Sequence, residues 1–223
     1  MVCLYQTVWS GNKAFVPRDG TATRERILTS AERLVIDNGY AATSVDQVIA
    51  ASGTSKGAFF HHFDSKLDLA RTLVERYAAA DVAQLEAATA HAEAETDDPA
   101  GRVDAFLRFF EERADELMSE QSSCLYVSIL TERQLVLDGT STPITGAVVA
   151  WRDGLVRLLR PALREGTDVD AEALADHVFV TFEGAFLLCR STGTPEHMRA
   201  QLGVLRRLLA TALGTARLGP PPS

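Results

Sequence analysis

Lys56, Phe60, His61, His62 and Lys66 stand together in one short stretch, SKGAFFHHFDSK, of a chain that has only three lysines, Lys13, Lys56 and Lys66. Ammonium and imidazole groups donate to phosphate oxygens and to the acceptor edges of bases, and flat rings pack on sugars or thymine methyls. No nucleophile is paired with a base here, so the chemistry on offer is recognition of a nucleic acid. Lys56 is placed to bond guanine O6/N7 or a phosphate. Lys66 lies in the first turn of the next helix, where free backbone N–H groups also favour phosphate. Ser44, opening the helix before, offers phosphate a hydroxyl and a backbone N–H. Ser55 precedes Lys56, and Gly57 and Ala58 are small enough for close approach to bases or sugars. His61 reads as groove-facing. His62 reads either as a DNA contact or as a hold on its own helix. G-T-S-K-G has the wrong residue order for a nucleotide-binding G-x-x-x-x-G-K-[ST] loop.

These residues need a rigid carrier, and the flanking sequence supplies one. A first helix is predicted over about Thr23–Asn38, with Ile27, Leu28, Ala31, Leu34 and Val35 on one face, and Gly39 stops it. A second opens at Thr43 or Ser44, with Thr43 and Asp46 as a T-x-x-D capping box and Gly53 as its end. A third, short helix spans about Ser55–His62. Ser65 caps a fourth, running to about Ala90 and roughly 37 Å long. Gly53 is the turn of a helix-turn-helix, and Ala50 and Ala51 are expected to let its helices pack closely. Val45, Val48, Ile49, Phe59 and Phe63 form the buried side, leaving the polar residues for a major groove.

The block TRERILTSAERLVIDNGYAATSVDQVIAASGTSKGAFFHHFDSKLDL resembles the N-terminal domain of the TetR family of transcriptional regulators. The matching elements are R-x-x-I-L-x-x-A, N-G-Y-x-x-T-S-V and S-G-T-S-K-G-A-F-F-H-H-F-x-S-K-x-x-L, over about Thr23–Leu69. The resemblance implies an all-helical homodimer with a ligand pocket in its C-terminal domain, in which effector binding changes the spacing of two reading heads. The family often carries tyrosine where Phe60 stands, and its hydroxyl contacts a phosphate. Phe60 lacks that group and is left to pack on sugar or thymine methyl.

Composition constrains the rest. The chain has 223 residues and a formal net charge of -8, unexpected for a nucleic-acid binder. Residues 1–70 hold seven Lys/Arg and seven Asp/Glu, so the acidity belongs entirely to the C-terminal part. DNA affinity must then come from local placement of charge. Cys3, Cys124 and Cys189 are scattered and odd in number, which fits a reduced, cytoplasmic setting rather than a disulfide framework. No apolar run reaches the roughly 20 residues a membrane span needs, and the N-terminus lacks the pattern of a signal peptide. The sequence holds no H-E-x-x-H, G-x-S-x-G or Walker-type loop and no spaced Cys/His metal set, so no enzyme, cofactor or metal site is expected.

The expected fold is all-α with about nine helices. Residues 1–20 form a disordered extension, 21–66 the helix-turn-helix domain, 67–214 a helical effector-binding and dimerisation domain, and 215–223 a disordered tail. Further helices are predicted at about Arg102–Met118, Ser122–Leu137, from a Thr142 cap with Pro143 at its first position, at Ala171–Ser191, and from Thr194-Pro195 to about Leu213. A cavity between them would be lined by Phe106, Phe110, Tyr126, Ile129, Trp151, Leu155 and Phe182, with Arg133, Arg152 and His177 as polar candidates. Ordinary core packing is the alternative for each. Cys124 is predicted in a helix's first turn, where the dipole can lower a thiol pKa, yet no cation is near it in sequence, and a buried, inert cysteine is the expected reading, with a reactive thiol as the alternative. The last two helices should pair with a second copy through Leu202, Leu205, Leu208, Leu209 and Gly184-Ala185.

The expected function is a repressor that leaves a palindromic operator when a small, largely apolar effector binds. The alternatives are a helical dimeric binding module without DNA function, or an electrophile or redox sensor acting through Cys124.

Overall fold

The computed structural model describes residues 20–120, 124–164 and 166–214. The segments expected to be disordered, apart from Gly20, lie outside the described residues. Eleven α-helices and one 3-10 turn are present, and no strand occurs among the described residues. Nine helices were expected, and the difference comes from two helices that break in the middle.

The reading head is α1 (Gly20–Asn38), α2 (Val45–Ser52) and α3 (Lys56–His62). Ile27, Leu28, Ala31, Val35 and Ile36 bury one face of α1. Gly39 takes φ 85°, a left-handed conformation that favours glycine and turns the chain out of the helix. The cap of α2 is Ser44 rather than Thr43. Ser44 Oγ accepts from the Gln47 N–H at 3.2 Å, and Gln47 Oε1 accepts from the Ser44 N–H at 2.7 Å. Thr43 is buried, and its hydroxyl lies 2.8 Å from the Gly39 carbonyl and 3.1 Å from that of Leu34. It ties the loop to the end of α1.

Helix α4 (Lys66–Glu95) has 30 residues, about 45 Å of helix. It passes the expected end at Ala90 because EAATAHAEAE is rich in good helix formers and because Glu95 gains partners in His91 and Arg108. Its first half buries Leu69, Leu73 and Val74 in the head, and its second buries Leu85, Ala88 and Ala92 in the C-terminal core.

The remaining helices are α5 (Pro99–Glu112), α6 (Ala114–Glu120), α7 (Leu125–Leu130), α8 (Arg133–Leu137), α9 (Thr142–Leu159), α10 (Ala171–Thr192) and α11 (Glu196–Ala212). Asp98 caps α5 by accepting from the Gly101 N–H at 2.7 Å, with Pro99 at the first position. One helix was expected over 102–118, but Arg113 leaves helical geometry between α5 and α6. The helix expected over 122–137 breaks at Thr131-Glu132. There the Thr131 hydroxyl bonds back to the Val127 carbonyl at 2.8 Å and Glu132 takes an extended ψ of 96°. The cap position of α9 is Ser141 rather than Thr142.

Two apolar cores result. One, in the C-terminal part, centres on Phe106, Phe110, Trp151, Leu155, Met198 and Leu202. The other begins in the head with Ile27, Val48, Phe59 and Phe63 and continues into Leu125, Ile129, Leu135 and Ile144. The head therefore shares its core with α7, α8 and the start of α9.

Candidate functional site

The recognition face is built by local rules. Gly53 at φ 62° closes α2, and the Thr54 N–H bonds the Ile49 carbonyl at 3.2 Å. Ser55 Oγ then caps α3 by accepting from the Ala58 N–H at 3.1 Å. Phe59 and Phe63 are buried behind α3 and Val48 behind α2, while Val45 and Ile49 pack partly buried. The outer face presents exposed Lys56, Gly57, Phe60 and His61, with Ala58 half-buried. Lys56 has no ion-pair or hydrogen-bond partner among the described residues.

Four expectations for this face change. Ala50 and Ala51 are exposed and are not the contact between the helices. The Ser44 N–H is already bonded to Gln47, so only its hydroxyl remains for a phosphate. His62 leans on the first turn of α1, with Cε1 3.5 Å from where a Cβ on Gly20 would stand, which favours a packing role. Lys66 Nζ sits 4.1 Å over the Tyr40 ring and 3.4 Å from the Ala41 carbonyl. Burial holds the Lys66 ammonium below its usual pKa, with the Glu132 charge acting against that shift. Lys66 thus clamps the α1–α2 loop before it meets any phosphate.

A cavity of about 120 Å³ lies where α1, α4, α5, α6, α7, α9 and α10 converge. Of the residues expected to line it, Phe110, Tyr126, Trp151 and Phe182 do, as does Cys124. Phe106, Ile129 and Leu155 do not; they are at most 1 % exposed and serve the cores. Arg133, Arg152 and His177 are exposed and also lie outside it, Arg152 pairing with Asp176 at 2.7 Å. Phe110, Trp151 and Phe182 pack with ring centroids 5.1–5.9 Å apart and form one wall.

The polar wall consists of residues that sequence reasoning missed: Glu32, Arg76, Tyr77, Asp81, Gln84 and Glu183. Arg76 is paired with Glu25 at 3.1 Å and with Glu32. Asp81 accepts from Tyr126 Oη at 2.6 Å. Burial raises the Asp81 and Glu183 carboxyls above the usual carboxylate range; the Tyr126 and Trp151 donors oppose this at Asp81, and the Cys124 thiol opposes it at Glu183. Burial, and then the Glu183 charge, push the Cys124 thiol upward, against the pull of the helix start. Tyr77 and Tyr126 are raised by burial in the same way.

The head also touches the C-terminal part directly. Arg190 on α10 donates to the carbonyls of Ile36 at 2.8 Å and Asp37 at 3.2 Å, at the end of α1. Glu132 Oε1 accepts from the Ala41 N–H at 3.0 Å.

Residues 27–73, which span this head and the start of α4, match the family model described as bacterial regulatory proteins, tetR family. The transcriptional regulator AcuR of Cereibacter sphaeroides is 25% identical over 193 residues, covering 82% of this chain and 83% of that protein. A TetR transcriptional regulator from Chloroflexus aurantiacus superposes with a TM-score of 0.69 at 24% identity, over 86% of this chain and 96% of that one. The head is that of the TetR family.

The chain carries the helix-turn-helix with which TetR-family transcriptional regulators bind DNA. Its head has another relative, the HTH-type transcriptional repressor AcnR of Corynebacterium glutamicum, 39% identical over 59 residues, which is 26% of this chain and 31% of that protein. Among the described residues, no helix is long and apolar enough to cross a membrane. The TetR-family head was findable because its signals are close neighbours in sequence. Asp81 carried no such signal, since it sits on a long helix whose apolar periodicity is weak.

Proposed function

We propose that this TetR-family regulator is a ligand-responsive repressor whose dimer leaves a palindromic operator when a small molecule fills the cavity at Asp81 and Glu183. The observation that carries this reading is where the cavity lies. Its wall includes Glu32 of α1, Tyr77 and Asp81 of α4, and Tyr126 of α7, so an occupant bears on helices that build or hold the head. Arg190 and Glu132 add direct ties from α10 and the α7–α8 junction to the end of α1 and its loop. A ligand that favours one arrangement of these helices shifts the head by its difference in affinity for the two states.

On the DNA side, Lys56, His61 and Phe60 enter the major groove on α3, with Ser44, Ser55, Gly57 and Ala58 at its edges. Lys66 acts by holding the loop and by adding positive field, and His62 acts by packing. The relative AcnR, named as a repressor, supports the repressor sense.

Pairing of two heads uses α10 and α11, though not through the leucine stripe expected. Leu202, Leu205 and Leu209 are at most 4 % exposed and face the core of the same subunit, as does Ala185. The apolar residues that face outward are Val180, Leu187 and Leu188 of α10 and Val204 and Leu208 of α11, beside exposed Gly184. A two-fold pair through this face sets two α3 helices toward half-sites roughly 34–36 Å apart. Cys124 serves as cavity wall. Its burial at 3 % exposure and its raised pKa argue against electrophile sensing.

The test is a gel shift with DNA from upstream of the protein's own gene, repeated across salt. The reading expects retardation at low salt and a linear fall of log affinity with log salt. No retardation at low salt refutes the regulatory role of this head, and an operator complex that no cavity ligand dissolves refutes the ligand-released repressor.

A further inference from the structure

We infer that the cavity takes a small protonated amine, its ammonium held between Asp81 and Glu183 and its apolar body, about one ring in size, against Phe110, Trp151 and Phe182. The inference rests on the reading above that this cavity is the effector site, and it names the chemistry of the effector.

One acceptor in the cavity wall has no donor among the described residues. Glu183 Oε2 and Trp151 Nε1 are buried without a hydrogen-bond partner, and Trp151 is only 5 % exposed. Native structures pair nearly all such atoms; Trp151 Nε1 has Asp81 close by, so the acceptor on Glu183 marks the place of a missing donor. Asp81 already receives the Tyr126 hydroxyl and faces the Trp151 indole N–H, two donors suited to an ionised carboxylate. Glu183 is close enough to feel the Asp81 charge. Two half-buried carboxyls that desolvation pushes toward their neutral forms, with no cation paired to them, can ionise together only when a counter-charge arrives. Arg76, which lines the cavity, is committed to Glu25 and Glu32. Among the described residues no cation forms a salt bridge with Asp81 or Glu183.

A monocation supplies what is absent. Its N–H groups donate to Glu183 Oε2 and to Asp81, and with Asp81 ionised the Trp151 N–H has its acceptor. The aromatic wall adds attraction for a cation over a ring face. The cavity volume, about 120 Å³, is near the roughly 150 Å³ that admits one benzene ring in an apolar protein cavity. An anion would meet Asp81, Glu183 and Glu32 with only an already paired Arg76 to offset them.

The pH dependence has a definite sign. Burial favours the protonated acids in the empty site, and a bound ammonium favours the ionised ones. Binding therefore releases protons, and affinity rises as pH climbs through and above the ordinary carboxylate range. Of the other titratable groups lining the site, Tyr77, Tyr126 and Cys124 are raised and stay neutral across that range, and Glu32 and Arg76 are paired with each other.

The experiment is calorimetric titration of the full chain with benzylamine, benzyl alcohol and benzoate, three probes of one ring and different charge. Benzylamine is expected to bind about tenfold or more tighter than the alcohol, with affinity rising with pH, and benzoate weakest. Glu183→Gln is expected to bring the amine-to-alcohol affinity ratio down about tenfold, to near unity, as read from that ratio within the same variant. Asp81→Asn, which conserves shape, is the second variant and should act in the same direction. Equal binding of amine and alcohol, or preference for benzoate, overturns the amine assignment and leaves the cavity as a ligand site. Binding of none of the three overturns the cavity as a ligand site as well.

Discussion

Arg190→Ala tests the link between the two parts of the molecule. The last carbonyls of a helix have no partner within it. At the end of α1 two of them, Ile36 and Asp37, are served by one guanidinium from α10, at 2.8 and 3.2 Å. A positive charge at a helix C-terminus is favourable as well. Charge-assisted hydrogen bonds can reach about 1.5–3 kcal/mol each, but this site is half open to water and the carbonyls can bond water when Arg190 is gone. A net loss of about 1–2 kcal/mol is therefore expected. For a chain of this size that corresponds to a fall in melting temperature of about 2–8 °C. The assay is thermal unfolding together with amide exchange over the α1–α2 loop. Exchange at Gly39, Tyr40 and Ala41 should accelerate more than in the core around Trp151. Arg190→Lys should recover only part of the loss, because an ammonium cannot fork across two carbonyls. An unchanged melting temperature with unchanged loop exchange would refute the clamp. Ligand release of DNA that is fully retained in Arg190→Ala would refute its part in signalling.

Lys56→Ala should weaken operator binding and lower the slope of log affinity against log salt by about 0.9 if it meets a phosphate; relaxed base preference instead would place it on a base edge. Lys66→Ala should weaken binding to all sequences and also destabilise the head by about 0.5–1 kcal/mol through loss of the Tyr40 contact, and unchanged urea unfolding would reject that second part. Cys124 should resist alkylation in the native protein and react on unfolding, as peptide mapping would show, because burial holds its thiol protonated; rapid native labelling would reverse this assignment. Leu187→Glu should give monomers in sedimentation and weaken operator binding with little loss of fold, since Leu187 is 61 % exposed within one subunit; a dimer of wild-type strength would move the interface elsewhere.

Where reading the sequence succeeded and where it failed follow from the range of the interactions involved. Ser44 capping α2, Gly53 turning left-handed and Ser55 capping α3 each depend on residues at most five positions away. Such devices are visible in a string of letters, and so the head was legible, down to the buried sides of Phe59 and Phe63. The misplaced cap shows the limit of that method. Thr43 and Ser44 are equivalent by type, and only the pull of Thr43 toward the Leu34 and Gly39 carbonyls separates them. On α11 the leucines were correctly read as apolar, but no local pattern says whether a stripe faces its own subunit's core or another copy. That depends on where α5 and α10 lie.

The sequence by itself determined an all-helical chain with a groove-reading head, because caps, turns and periodicity act over a few residues. Tertiary structure alone decided the cavity and its character. Asp81 comes beside Tyr126 from 45 positions away, and Arg190 reaches Ile36 across 154. Until those helices pack, Asp81 and Glu183 are ordinary surface carboxylates; packing removes much of their water, and among the described residues neither gains a salt bridge. Removal from water, a property of the assembled helices and not of any segment, is what sets these two common acids apart and makes them a candidate site.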